Sequence, residues 1–143
     1  MNIAPIIIKP SQGAMLTLLL AAAAILFAMG QASRSNFDVK SVSIAEANTL
    51  IDAGALVIDV RERDKYDYRH IPEALFIPLE VLRAGIPASI TYAKSKPVVV
   101  YCGDGVTHGP EGTDLLQRAG FSNAVNIKRG IEGWAAAGLP VQR

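Results

Sequence analysis

Apolar and polar residues alternate in short blocks along the chain, and the blocks predict strands that alternate with helices. Brief apolar runs, typical of strands buried on both faces, lie at 55–60, 74–79, 97–102 and 123–127. Helices are predicted at 43–53, 110–119 and 130–141, with a short polar helix or turn at 62–70 and a helix and loop at 79–93. This order predicts an α/β domain whose mostly parallel sheet is covered by helices on both faces.

Residue types at the ends of two predicted helices support their boundaries. Ser43 is a candidate N-cap with Glu46 three residues later, which is the spacing of a capping box, and Gly54 stands where a helix C-cap belongs. In the later helix, Pro110 suits the first turn and Gly120 follows the last turn. We therefore expect both helices to begin and end near these residues.

A long apolar run comes near the start of the chain. Residues 14–32 form 19 positions without a charge, and the small residues GQA precede Ser33. The run fits the centre and cleavage site of a signal peptide, it also reaches the length of a membrane anchor, and a soluble core helix is the third alternative. Residues 1–32 are thus predicted to be a signal peptide or anchor, and the polar residues 33–41 a linker. A signal or an anchor implies an exported, periplasmic or extracytoplasmic protein, either free or attached to the inner membrane through residues 14–32.

The composition beyond this segment excludes several classes of function. Lys9 is the one charged residue among 1–32, so residues 33–143 hold 13 basic residues (14 minus 1) and 13 acidic ones. The net charge of this part is therefore zero, and no basic face or tail indicates nucleic acid as a partner. The two histidines and the single cysteine lack the spacing of metal ligands, and there is no phosphate loop or dinucleotide fingerprint. We therefore expect no metal, no cofactor and no nucleic acid.

Cys102, the only cysteine, follows the strongest predicted strand and precedes a glycine-rich loop. Sites in open α/β sheets form beyond the carboxyl ends of strands, and Gly103 and Gly105 would let successive backbone N–H groups turn toward one centre. Such a nest holds anions, and the start of the next helix adds partial positive charge, so both favour a thiolate over a thiol. Cys102 is therefore a candidate nucleophile beside an anion receptor. The alternative is a small buried side chain at a strand end.

Three stretches in sequence order carry motifs of one family: VIDVRERDKYDYRHIPEALFIPL at 57–79, VVVYCGDGVTHG at 98–109 and AGFSNAVNIKRGIEGWAAAGLPV at 119–141. Together they resemble the rhodanese-like family of single-domain sulfurtransferases. The resemblance implies a rhodanese-like domain over 42–143, with a doubly wound sheet of about five mostly parallel strands and helices on both faces, after an N-terminal hydrophobic helix.

The resemblance also implies an activity. Cys102 would take a sulfane sulfur from a donor such as thiosulfate, carry it as a persulfide, and pass it to a thiol or cyanide. The partner would be a small sulfur-containing substrate or a protein thiol or persulfide, and no cofactor would be needed.

Individual residues take roles from the same resemblance. The substrate-binding loop would comprise Gly103, Asp104, Gly105, Val106, Thr107 and His108. Supporting residues would be Asp59, Arg61, Lys65 and His70. The backbone N–H groups of 103–107 would hold the outer sulfur, with the Thr107 hydroxyl beside them. Asp59 and Arg61 would form a structural ion pair, His70 would be a structural hydrogen-bonding residue rather than a base, and Trp134 would lie in the core.

Two features depart from the family pattern. Active members often carry Arg or Lys just after the cysteine, whereas this chain has Gly103 and Asp104, and an inward carboxylate would weaken thiosulfate binding. Lys65 or Arg129 could supply compensating charge. This loss of loop cations leaves a second hypothesis open, a catalytically weak binding or scaffold module with the same fold.

The second departure is length, since 17 residues separate Cys102 from Gly120. An extra residue at His108 or Gly109 would lengthen the loop, and related folds with longer loops bind phosphate or arsenate. Those sites need a loop arginine to neutralise the oxyanion, and no residue between 103 and 117 is Arg or Lys. The sequence therefore argues against a phosphatase or arsenate reductase.

Overall fold

The computed structural model describes residues 37–143, all of which belong to one compact unit. The strands are β1 (Ser41–Val42), β2 (Leu56–Asp59), β3 (Leu75–Phe76), β4 (Val98–Tyr101) and β5 (Ala124–Ile127). The α-helices are α1 (Ile44–Asp52), α2 (Arg63–Tyr68), α3 (Leu79–Ala84), α4 (His108–Arg118) and α5 (Gly130–Ala136), and Ala88–Ala93 form a 3₁₀ helix. The predicted alternation of strands and helices is confirmed.

The strands form one sheet in the order β1-β5-β4-β2-β3, and every neighbouring pair is parallel. The α/β class and the five strands are confirmed, and the sheet is wholly rather than mostly parallel. The crossover after β2 leads to β3 on one side, whereas the crossover after β4 leads to β5 on the other. The direction of winding therefore reverses between β2 and β4, which is where open α/β sheets bind ligands. Asp59 ends β2 at this point, and Cys102 follows β4.

The central strand β4 is buried on both faces because its residues alternate between two cores. Val100 and Cys102 pack with Leu116 of α4 in one core, and Tyr101 packs with Trp134 of α5 in the other. Each of these side chains is at most 2 % exposed, and full burial of a large apolar side chain stabilises a fold by about 1.5–3 kcal/mol. Helices therefore cover both faces of the sheet, and Trp134 is a core residue, as predicted.

The ends of α1 agree with the sequence. The Glu46 N–H donates to the Ser43 hydroxyl at 3.2 Å, and the Ser43 N–H donates to the Glu46 carboxylate at 2.7 Å, which completes the predicted capping box. At the other end, the N–H groups of Gly54 and Ala55 bond back to carbonyls of the last turn and close a Schellman motif. Local side-chain chemistry therefore fixes the length of α1.

Strand β1 begins inside the predicted linker. Residues 33–41 were predicted to connect two segments, but Ser41 pairs with Asn126 of β5 at the edge of the sheet. A strand of two residues has no periodicity for a sequence pattern to detect.

Helix α4 begins two residues before the predicted start at Pro110. His108 and Gly109 form its first turn, and Pro110 lies where the missing N–H would have had no partner within the helix. The prediction that His108 or Gly109 lengthens the loop is therefore wrong. The loop between β4 and α4 is the segment 102–107, here named the cysteine loop.

The predicted signal peptide or anchor at 1–32, with its hydrophobic helix, lies outside the described residues. Within residues 37–143, no helix is long and apolar enough to cross a membrane. The nature of the N-terminal segment stays a prediction.

Candidate active site

Cys102 lies at the carboxyl end of β4 with its side chain turned into the cysteine loop. The residue is only 1 % exposed, yet three polar groups of the loop lie near its sulfur. The Gly105 N–H donates to Sγ at 3.3 Å, the Asp104 carboxylate lies 3.4 Å from Sγ, and the Thr107 hydroxyl lies 3.9 Å away. The thiol is therefore in a polar pocket and not merely packed among apolar side chains.

The Asp104 side chain is exposed, but one oxygen of its carboxylate turns back onto the cysteine loop. Its Oδ1 accepts the Val106 N–H at 2.9 Å, the Thr107 N–H at 3.2 Å and the Thr107 hydroxyl at 3.2 Å. Partial burial raises the pKa of Asp104, but the hydrogen bonds from Val106, Thr107 and Cys102 outweigh this and hold the pKa below its usual value. Two of the N–H groups predicted to hold a substrate sulfur, those of Val106 and Thr107, thus bind a carboxylate of the chain itself.

The start of α5 holds the cysteine loop from behind. The Ile131 N–H donates to the Cys102 carbonyl at 3.0 Å, and the Glu132 N–H donates to the Gly103 carbonyl at 3.1 Å. Arg129 and Gly130 both adopt left-handed backbone conformations, with φ of 65° and 48°, to aim these N–H groups at the loop. A Cβ at Gly130 would overlap the Cys102 carbonyl oxygen, so only glycine fits there.

Asn126 of β5 is a second support that the sequence analysis did not identify. Its Nδ2 donates to the Gly105 carbonyl at 2.9 Å and to the Ser41 hydroxyl at 3.0 Å. The residue is 1 % exposed, and its Oδ1 has no hydrogen-bond partner among the described residues. The available signal was a polar amide inside the apolar run 123–127, which needs a partner when buried.

Arg61 lies on the wall of the site that the residues after β2 form, and it pairs there with the buried carboxylate of Asp59. The Arg61 guanidinium donates to the Asp59 carboxylate at 2.6–3.1 Å and to the Arg69 carbonyl at 2.7 Å. Burial lowers the pKa of Arg61, but the hydrogen bonds and charge of Asp59 reverse the effect, so the pKa lies above its usual value. The pair ties the end of β2 to the segment after α2, which is the structural role expected for it.

A cleft of about 450 Å³ opens in front of the cysteine loop. It is lined by Arg61, Glu62, Lys65, Tyr68, Arg69, Gly103, Asp104, Thr107, His108, Ile131 and Glu132. The cations come chiefly from α2 and the residues that follow it, whereas carboxylates lie on both walls. The cleft therefore has mixed charge and is not a purely cationic anion site.

Some of the other predicted site residues line this cleft and others do not. Lys65 and His108 line it, whereas Arg129 and His70 are not among its lining residues. The His70 ring stacks on Tyr66 with centroids 4.0 Å apart, and its Nδ1 lies 3.0 Å from the Tyr66 carbonyl oxygen. These contacts are structural. Within residues 37–143, no group of three His, Cys, Asp or Glu side chains could hold a metal ion.

Comparison with known proteins agrees with this architecture. The model of the rhodanese-like domain matches residues 43–137, which is well over half of the chain. The chain belongs to the rhodanese-like family. Among solved structures, the rhodanese-related protein of Thermoplasma volcanium is similar at a TM-score of 0.62 and 27 % identity, over 72 % of this chain and 97 % of that one.

Curated relatives extend the family without fixing a reaction. The chain is 33 % identical over 106 residues to the uncharacterized protein YibN of Escherichia coli strain K12, covering 73 % of each chain. It is 31 % identical over 106 residues to the tRNA uridine(34) hydroxylase of Cronobacter sakazakii, but spans 30 % of that longer protein and uses 68 % of its own length. The family is therefore established, and the reaction has to be argued from the site.

Proposed function

We propose that this protein is a sulfurtransferase that carries a sulfane sulfur as a persulfide on Cys102. The observation that carries the proposal is the placement of Sγ at the end of β4, 3.3 Å from the Gly105 N–H, in a loop that α5 clamps by two backbone hydrogen bonds. Family membership supports the same chemistry. A thiol that was only a packing residue would not need a glycine loop, a buried amide and a helix start around it.

In the proposed reaction, the Cys102 thiolate attacks the outer sulfur of a donor. The new S–S bond forms as the bond between donor and outer sulfur breaks, and the donor leaves with the bonding electron pair. An acceptor thiol or cyanide then attacks the outer sulfur and regenerates the Cys102 thiolate. The Gly105 N–H would stabilise the charge that develops on sulfur, since a fixed dipole aimed at developing charge needs no reorganisation during the reaction.

The proposed partners are a small sulfur-containing substrate or a protein thiol or persulfide. The 450 Å³ cleft is within the usual size range of small-molecule sites. We also propose export to the periplasm or another extracytoplasmic compartment, on the strength of the apolar segment 14–32.

Intact-mass analysis tests the activity directly. The full-length chain, purified in mild detergent, is incubated with thiosulfate or with the hydropersulfide of 2-mercaptoethanol, and the expected result is a gain of one sulfur atom that cyanide removes. The Cys102→Ser variant is the matched control and should gain nothing. Absence of an adduct from both donors would contradict the proposal.

The hydrogen bonding of Asp104 to the cysteine loop supports a second candidate function, a binding module in which the cleft recruits a partner and no sulfur is transferred. Its carboxylate occupies two N–H groups that a bound sulfur could use. Failure of both donors with the native chain and with Asp104→Asn would favour this candidate over the enzyme.

A further inference from the structure

We propose that Asp104 is a specificity-determining residue, which makes Cys102 accept sulfur from protonated hydropersulfides, R–S–SH, and not from sulfur oxyanions such as thiosulfate. The inference rests on the proposed sulfurtransferase function and names the class of donor. It follows from a carboxylate whose Oδ1 lies 3.4 Å from Sγ and already accepts two N–H groups of the cysteine loop.

The first argument is occupancy of the N–H groups. Asp104 Oδ1 accepts hydrogen bonds from the backbone N–H groups of Val106 and Thr107 and from the Thr107 hydroxyl. The oxygens of thiosulfate would therefore compete for these donors with a carboxylate that is already in place. Of the cysteine-loop N–H groups, that of Gly105 faces Sγ itself. One such donor suits a single sulfur atom better than the three oxygens of an oxyanion.

The second argument is charge. The outer sulfur of a donor in line with Cys102 comes within a few ångströms of Asp104 Oδ1, since Oδ1 lies 3.4 Å from Sγ. A dianion at that place is repelled by the carboxylate. For an effective dielectric between that of water and that of a partly desolvated surface, this repulsion corresponds to a rate loss of about tenfold or more. Glu132 adds a second carboxylate to the cleft, with Oε1 about 3.6 Å from where a Cβ of Gly103 would lie.

The third argument is the hydrogen bond that a protonated donor can make. The Cys102 thiol lies in position to donate to Asp104 Oδ1, so this oxygen already accepts from an S–H group. Once Cys102 has lost its proton, the terminal S–H of a neutral hydropersulfide takes the place of the Cys102 S–H as a donor to this oxygen. The carboxylate that repels thiosulfate therefore holds the terminal S–H of R–S–SH.

The transfer is balanced without another reactant. In the sum Cys102–SH + R–S–SH → Cys102–S–SH + R–SH, the bond from Sγ to the outer sulfur forms and the S–S bond of the donor breaks. The electron pair of that bond leaves on the R–S⁻ group, which takes up the proton lost from Cys102. Asp104 ends the reaction unchanged.

The test compares rate constants for sulfur loading of full-length protein by thiosulfate and by 2-mercaptoethanol hydropersulfide, followed by intact mass. The native chain should react faster with the hydropersulfide. In Asp104→Asn, which keeps an acceptor oxygen for Val106 and Thr107 but removes the charge, the thiosulfate-to-hydropersulfide ratio should rise about tenfold or more. Glu80→Gln removes a charge from the exposed surface of α3, outside the cleft, and should change the ratio less than about threefold.

Each result decides one question. Three results would overturn the role of Asp104 and leave the sulfurtransferase function standing. They are an unchanged ratio in Asp104→Asn, an equal rise in Glu80→Gln, and a native chain that takes sulfur from thiosulfate as fast as from the hydropersulfide. No sulfur on Cys102 from either donor in any variant would overturn the function itself. Asp104→Ser serves as the second variant if Asp104→Asn does not fold, with the same expected direction.

Discussion

Around Cys102, the glycines, which have no side chain, shape the site as much as the side chains do. A Cβ at Gly105 would overlap the Ile127 carbonyl, and one at Gly109 would overlap Asn126 Oδ1 and lie 3.3 Å from Sγ. Backbone therefore packs directly on backbone and on the sulfur. This close approach gives the thiol its N–H donor and leaves the cysteine loop few alternative conformations.

The Gly130→Ala substitution should show how much the clamp from α5 contributes. The new Cβ would collide with the Cys102 carbonyl in addition to the strain of a positive φ, so we expect a loss of about 3 kcal/mol or more in the free energy of unfolding. Gly138→Ala is the matched control, because its φ is also positive but nothing lies within 4 Å, and it should cost about 1–2 kcal/mol. Equal losses in chemical denaturation would contradict a role for the clamp.

The sequence was sufficient to identify Cys102 and its loop as a candidate site, because residue type and position at a strand end carry that information. It could not show which way the Asp104 carboxylate turns. Rotation about side-chain bonds decides which N–H groups it reaches, and the backbone pattern leaves that open. Asn126 was missed for a related reason, since its partners Gly105 and Ser41 are far from it in sequence.

Among the elements, α3 and α4 are joined at the surface by a bidentate ion pair beside the site. The Arg83 guanidinium donates to both carboxylate oxygens of Glu111, at 2.7 and 2.8 Å. These hydrogen bonds lower the pKa of Glu111, and the charges of Arg83 and His108 lower it further. Burial acts in the opposite direction, but the net result is a pKa below the usual value. The first turn of α4, which follows the cysteine loop, is thus connected to its neighbour on the same face of the sheet.

This pair predicts a pH dependence of stability. Because the pKa of Glu111 is lower in the folded chain, its contribution is present above its usual pKa of 4.5 and is lost as the pH falls through the folded value. Glu111→Gln should therefore reduce the free energy of unfolding by less than about 1 kcal/mol at pH 7, since the pair lies at the surface, and by a smaller amount near pH 3. Chemical denaturation at both pH values measures this loss, and Glu73→Gln in the turn before β3 is the control. A loss of stability in Glu111→Gln that is as large at low pH as at pH 7 would contradict the prediction.

Predicted elements were accurate where local chemistry fixes them. The Ser43–Glu46 box and Gly54 delimit α1 in sequence and in structure alike. The start of α4 was misplaced because Pro110 suits any position in the first turn of a helix. Strand β1 was invisible because its two residues become a strand only by pairing with β5.

The whole domain consists of one parallel sheet with a core on each face, and the candidate site lies where the winding of that sheet reverses. Such an arrangement follows from the order of elements, which is why the fold class could be predicted from the pattern alone. The proposed export of the protein rests on the apolar N-terminal sequence and not on this domain.

The mass of the protein isolated from cells tests that placement. We expect cleavage before Ser33, because an apolar centre followed by GQA has the form of a signal peptide, and the mature chain should then appear in the soluble extracytoplasmic fraction. Recovery of the uncleaved chain from the membrane fraction would indicate an anchor. Recovery of the uncleaved chain in the soluble cytoplasm would contradict both interpretations.

The exposed position of Asp104 also bears on how such a protein diversifies. Its side chain is bonded to the loop that carries it and belongs to neither apolar core, so replacing it disturbs little of the scaffold. Under the role proposed for Asp104, a substitution at this one position would change the choice of sulfur donor while the sheet and both cores stay as they are.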